Sequence, residues 1–82
     1  MRVMVLYFAA VRELVGRDEE PADLPPRVTT VAAFVEWIES HHTCLRGRMA
    51  SVRIARNEAF ADAAEGLAEG DVLALIPPVA GG

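Results

Sequence analysis

The residues best suited to chemistry close the sequence: Pro77-Pro78-Val79-Ala80-Gly81-Gly82. Two prolines lack N–H donors and hold φ nearly fixed, so a strand stops there and the segment leaves it stiff and extended. Six extended residues reach roughly 20 Å, enough to carry a terminal group into another protein's active site. Ala80, Gly81 and Gly82 have almost no side-chain bulk, so a narrow channel can close around their backbone. The reactive group is then the carboxylate of Gly82. A free carboxylate is a poor acyl donor because its leaving group is bad. Adenylation with ATP supplies a good one, and a sulfur nucleophile that displaces AMP leaves a thiocarboxylate, a soft nucleophile ionised near neutral pH. The chain needs no catalytic side chain and no bound cofactor for this, so it is not expected to be an enzyme on its own. A glycine pair ends about one chain in 200 by chance, so the weight rests on its place directly behind a proline-stopped apolar strand.

Other reactive side chains make weaker patterns. His41, His42 and Cys44 lie close together, but zinc sites need about four ligands in recognisable pairs, and no second pair follows. Adjacent histidines point about 100° apart on a helix. They read instead as histidines at a helix C-terminus, where partial positive charge is favourable, and His42 falls in line with the apolar stripe of that helix. No metal site is expected. Trp37 reads as packing at the rim of the core. The run Asp18-Glu19-Glu20 reads as charge that keeps an edge strand soluble.

The elements that must position the tail follow from periodicity. Residues 2–8 are apolar and rich in β formers, which predicts a central strand buried on both faces. Phe8, Val11, Leu14 and Val15 recur at helical spacing before Gly16, a natural stop. Pro21 restricts any strand in 17–24 to an edge. Thr30 is an N-cap ahead of the stripe Val31, Phe34, Val35 and Ile38, in a helix running to about His41. Glu36 and Glu39 form its solvated side. Val52 and Ile54 alternate with Arg53 as in a half-exposed strand, Asn57-Glu58 is a turn, and Ala59-Phe60-Ala61 returns. After a turn at Glu69-Gly70-Asp71, Val72–Ile76 is the last strand. Two helices on one face of a mixed sheet would bury these stripes. The first and last strands, being most apolar, lie side by side and parallel. The expectation is α+β, a β-grasp (ubiquitin-like) domain over 1–76 with about five strands, and a tail over 77–82.

Composition excludes other classes. Of 82 residues 52% are hydrophobic and 24% charged, which supports a packed single domain and argues against disorder. The eight basic residues are all arginines, scattered, in a chain of net charge −4. A nucleic-acid groove needs a concentrated basic face, so no nucleic acid is expected. No apolar run is long enough to cross a bilayer, so no membrane is expected either. With Cys44 as the one cysteine, no internal disulfide forms, which fits a reducing cytoplasm.

Residues Val5 to Gly16, then Gly70-Asp71 and Ala74-Leu75-Ile76-Pro77-Pro78-Val79-Ala80-Gly81-Gly82, resemble the small subunit of molybdopterin synthase. The middle matches in element order and at Asn57. Ile76 stands where many members have an aromatic residue, and the third-strand region is unusually rich in arginine. The resemblance implies that an ubiquitin-activating-type enzyme adenylates Gly82 and a sulfurtransferase system converts it to the thiocarboxylate. The tail then enters the large synthase subunit, in what is expected to be a heterotetramer, and donates sulfur to cyclic pyranopterin monophosphate. A dithiolene holds two sulfurs, so two loaded carriers are consumed per product in this step of molybdenum cofactor synthesis. Phe8 and Ile76, ending two parallel neighbouring strands, form with the tail the expected partner surface, and Arg12 offers a pairing charge. The competing readings are a sulfur carrier for thiamin thiazole synthesis, an ubiquitin-like modifier of other proteins, and an interaction module with an inert tail.

Overall fold

A computed structural model of the chain describes residues 1–78. Its elements run β1 (Arg2–Tyr7), α1 (Ala9–Val15), β2 (Glu19–Asp23), α2 (Val31–His41), two short 3₁₀ helices (Thr43–Leu45 and Met49–Ser51), β3 (Arg53–Arg56), β4 (Ala59–Phe60) and β5 (Val72–Ile76). The five strands form one mixed sheet in the order β2-β1-β5-β3-β4. β1 and β5 are parallel, with Val5 opposite Leu73 and Tyr7 opposite Leu75, and β3 and β2 flank them antiparallel. This is the expected β-grasp.

β1 alternates, with Val3, Val5 and Tyr7 buried and Met4 and Leu6 only partly covered. The expectation of a strand buried on both faces is therefore corrected: the helices cover one face and leave the other open. Strand β5 is the central one, with β1 on one side and β3 on the other. Leu73 and Leu75 are wholly buried with Phe34, Ile38 and Leu45, so α2 and the first 3₁₀ helix close the same core.

Each helix ends where its sequence dictates. Gly16 adopts φ 85° and its N–H donates to the Arg12 carbonyl, a left-handed stop that other residues enter at a cost. Of the stripe expected on α1, Val11 is buried, whereas Leu14 and Phe8 are exposed; a seven-residue helix has one face against the core and little more. Thr30 Oγ1 accepts from the Ala33 N–H, the expected cap. The free N–H groups of Val31 and Ala32 donate to the carbonyls of Glu65 and Ala63. The segment before β5 thus satisfies the start of α2 that its own sequence leaves open.

Pro21 lies opposite Met4. The Leu24 N–H donates to the Met1 carbonyl and the Tyr7 N–H to the Asp18 carbonyl, so hydrogen-bonded pairs fall at even positions of β2 and Pro21 lies between them. Its missing donor costs the ladder nothing there, which is why a proline is tolerated in this edge strand. Among the described residues no helix is long and apolar enough to cross a membrane.

Candidate functional site

The open face of the sheet carries a shallow groove of about 500 Å³ whose lining includes Leu6, Phe8, Phe60, Val72, Ala74 and Ile76. Alternation puts them there: Leu6 pairs with Ala74, Ala74 with Ala55, and Ala55 with Phe60, all on the face opposite the helices. Strand β1 ends at Tyr7, so Phe8 is not its last residue, as expected from sequence, but the extended N-cap of α1. The next residue, Ala9, takes φ 48°. At this sharp corner Phe8 remains 44% exposed and lines the same groove as Ile76. The two residues that sequence reasoning assigned to a partner surface are thus brought together, beside the point where Pro77 follows β5. Pro77 is half-buried and Pro78 exposed. Val79, Ala80, Gly81 and Gly82 lie outside the described residues.

Arg12 lies on α1 and approaches Asp18 at 3.7 Å, both side chains being largely exposed. Its charge is shared within the chain, so the expectation of a cation facing a partner is met only by an exposed and internally paired arginine. Phe60 missed notice as a site residue. Its ring lies under the Arg53 guanidinium, 3.6 Å from ring centroid to carbon, and is 54% exposed. The two-residue turn at Asn57-Glu58, which sets Phe60 across from Ala55, was the available signal.

A polar lattice pins the near end of β5. The Asp71 carboxylate is buried and accepts from Arg56 Nε at 2.7 Å, Asn57 Nδ2 at 3.0 Å and the Ala68 N–H at 2.8 Å. Asn57 Oδ1 in turn accepts from the Val72 N–H at 2.9 Å. Burial pushes the Asp71 carboxyl upward, but the bonds from Arg56, Asn57 and Ala68 outweigh it and hold the carboxyl below its ordinary value. Gly70-Asp71 and Asn57, which the sequence suggests as two separate turns, are one unit: they fix where β5 begins and hence its register against β1.

A second cluster lies on the helix-covered side of the sheet, between β2 and the end of α2. Glu20 is 7% exposed, which corrects its reading as surface charge. It shares the core face with Val5, its partner across the ladder. Its Oε1 accepts from the Tyr7 hydroxyl at 2.5 Å and contacts His42 Nε2, and its Oε2 accepts from Arg17 at 2.8 Å. Desolvation raises the Glu20 carboxyl, but bonds from His42 and Tyr7 and the charge of Arg17 win, leaving it below the usual range. Burial, together with the Glu20 carboxylate, pushes the Tyr7 hydroxyl far above its ordinary value. His41 Nε2 lies 4.0 Å from Glu20 Oε1, and one ligand atom from each of Glu20, His41 and His42 falls within 4.8 Å of the others. Cys44 is exposed and donates to the Leu14 carbonyl.

The ThiS family matches residues 5–82. The molybdopterin synthase sulfur carrier subunit of Mycobacterium tuberculosis is 37% identical over 84 residues, covering all of this chain and 99% of that protein. Among solved structures, the small archaeal modifier protein SAMP1 of Haloferax volcanii superposes with a TM-score of 0.87 at 28% identity, each chain covered in full. A chain from the complex of subunits 1 and 2 of the Helicobacter pylori molybdopterin-converting factor superposes with a TM-score of 0.71. At 24% identity, also with full coverage of both chains, that likeness carries the fold alone. The family match through residue 82 and the full-length identity to a curated carrier subunit agree with the β-grasp and its open face, and the chain belongs to the ThiS family.

Proposed function

We propose that this chain is the sulfur-carrier subunit of a molybdopterin synthase and works through the carboxylate of Gly82. An ubiquitin-activating-type enzyme transfers AMP from ATP to that carboxylate, releasing pyrophosphate. A sulfur nucleophile then displaces AMP and leaves the thiocarboxylate. Inside the large subunit the terminal sulfur displaces an oxygen leaving group from a carbon of cyclic pyranopterin monophosphate, the carbon–sulfur bond forming as the carbon–oxygen bond breaks. Water then cleaves the acyl–sulfur bond, returning the carboxylate and leaving the sulfur on the pterin. Pro77, Pro78, Val79, Ala80 and Gly81 are the slender connection that reaches the pocket, and the chain itself supplies no catalytic group. The large subunit also supplies the second half of a cytoplasmic heterotetramer.

The observation that supports this most is the open apolar sheet face, where Phe8 and Ile76 line one groove at the end of β5 that leads into Pro77-Pro78. An apolar face of this kind, next to a segment without bulk, fits a partner that grips the domain and threads its end. The curated carrier relatives share the full length of the chain. Incubation with the activating enzyme, ATP and a sulfur donor is expected to give an oxygen-for-sulfur gain in intact mass at the C-terminus. Adding one residue beyond Gly82 is expected to abolish both that gain and dithiolene formation. Full cofactor production by the extended chain would overturn the proposal.

The likeness to the small archaeal modifier protein favours one second reading, conjugation of Gly82 to lysines of other proteins. Covalent adducts on other proteins in place of the thiocarboxylate would support it.

A further inference from the structure

We propose that Glu20, His41 and His42 form a binding site for a borderline divalent cation of the first transition row, with zinc as its representative. Sequence spacing speaks against a metal here because the two histidines are adjacent and no second ligand pair follows. The fold brings the two histidines onto one point and supplies a third ligand from a distant strand. His41 is the last residue of α2, and His42 leaves the helical path with φ −121° and ψ 94°. The two imidazoles meet at one point, with ring centroids 4.7 Å apart. Strand β2 delivers the carboxylate of Glu20 from more than twenty positions earlier in the chain, and the three ligand atoms gather within 4.8 Å.

Two imidazole nitrogens and one carboxylate oxygen are the donor set of zinc and its neighbours. Magnesium and calcium ask for oxygen donors throughout and are disfavoured. Bonds of about 2.0–2.2 Å put tetrahedral ligand atoms roughly 3.4 Å apart, so small side-chain rotations bring these three into range. The ligands are already oriented. Glu20 would bind through Oε1 while Oε2 keeps Arg17 at 2.8 Å, and the Tyr7 hydroxyl steadies Oε1. Such outer partners fix a ligating carboxylate. The His41 ring stacks on Trp37 with centroids 4.6 Å apart and planes 13° apart, and His42 meets the edge of Tyr7 at 5.7 Å. His41 is 45% exposed in its side chain, which gives the cation an entrance and leaves a fourth position open to water. The positive charge of Arg17 beside the carboxylate weakens the attraction, so the site belongs to the micromolar class rather than to that of structural zinc fingers. Bound there, the cation would tie the edge strand β2 to the end of α2, independently of the tail chemistry.

Titration of the full-length chain with zinc chloride in a calorimeter, after chelator treatment, is expected to reveal one saturable equivalent. Saturating zinc is expected to raise the thermal midpoint by roughly 10 °C, and magnesium chloride to leave it unchanged. His41→Ala removes an exposed ligand without disturbing the core and should weaken zinc by at least about tenfold. Cys44→Ser should leave the affinity as it is. Wild-type zinc affinity in His41→Ala, loss of binding in Cys44→Ser, or no saturable binding at all would each overturn the proposal. Glu20→Gln, checked for folding by circular dichroism, serves as the second ligand test.

Discussion

Single side chains divide here into those that hold the fold and those that face outward. Phe8 is 44% exposed at a strand-to-helix corner, so replacing it takes little from the core. Phe8→Asp is expected to weaken binding to a large synthase subunit by at least about tenfold, the effect of one apolar anchor, with the thermal midpoint unchanged. A surface-binding assay beside a melting curve checks both halves, and unfolding of the variant would return Phe8 to the core. Asp71 is the opposite case. Its carboxyl is held below its ordinary value by Arg56, Asn57 and the Ala68 N–H despite burial. A depressed folded pKa means that its contribution is complete above the unfolded value near 3.8 and is lost as pH falls through the folded one. Asp71→Asn is expected to lower stability by about 2 kcal/mol at neutral pH. It should also flatten the decline on the acid side, as read from urea midpoints between neutral pH and pH 2. The apolar identity of Phe8 was legible in the sequence; the network of Asp71 was not, because its partners lie 3 to 15 positions away in two separate segments.

At the scale of elements, the β3–β4 turn is the least comfortable part of the backbone. Asn57 and Glu58 both take positive φ, 50° and 71°, as a two-residue turn matching strand twist requires. Asparagine tolerates this region, whereas glutamate carries a steric cost there. Glu58→Gly is expected to raise stability by about 0.5–1 kcal/mol, net of the entropy glycine adds to the unfolded chain, measured by chemical denaturation. The turn itself is readable from Asn57-Glu58. The shortness of β4, two residues, is not, since it depends on where the following segment is pulled away to satisfy the N-terminus of α2. The two 3₁₀ helices were likewise invisible: their buried residues Leu45 and Met49 are isolated apolar positions without a period of their own.

For the molecule as a whole, an 82-residue chain has one thin core and little stability in reserve. Leu75 is fully buried on the central strand, opposite Tyr7 on one side and Ile54 on the other. Leu75→Ala is expected to cost about 2–5 kcal/mol, a large fraction of the total, and to lower the thermal midpoint steeply in a melting experiment. Two short helices cover one face of the five strands, and among the described residues the other face keeps Phe8 and Phe60 exposed.

The amino-acid sequence by itself determined the order of the strands and α-helices, their stops at Gly16 and Pro77, and the cap at Thr30. Each of these is local: a side chain or a missing donor acts on the backbone within a few residues of itself. Only the tertiary structure decided that β1 has an open face, that Phe60 joins Phe8 and Ile76 in one groove, and that Glu20 leaves the surface to meet His41 and His42. Those outcomes depend on which face the helices cover and on β2 folding back along β1, which bring together residues far apart in the chain.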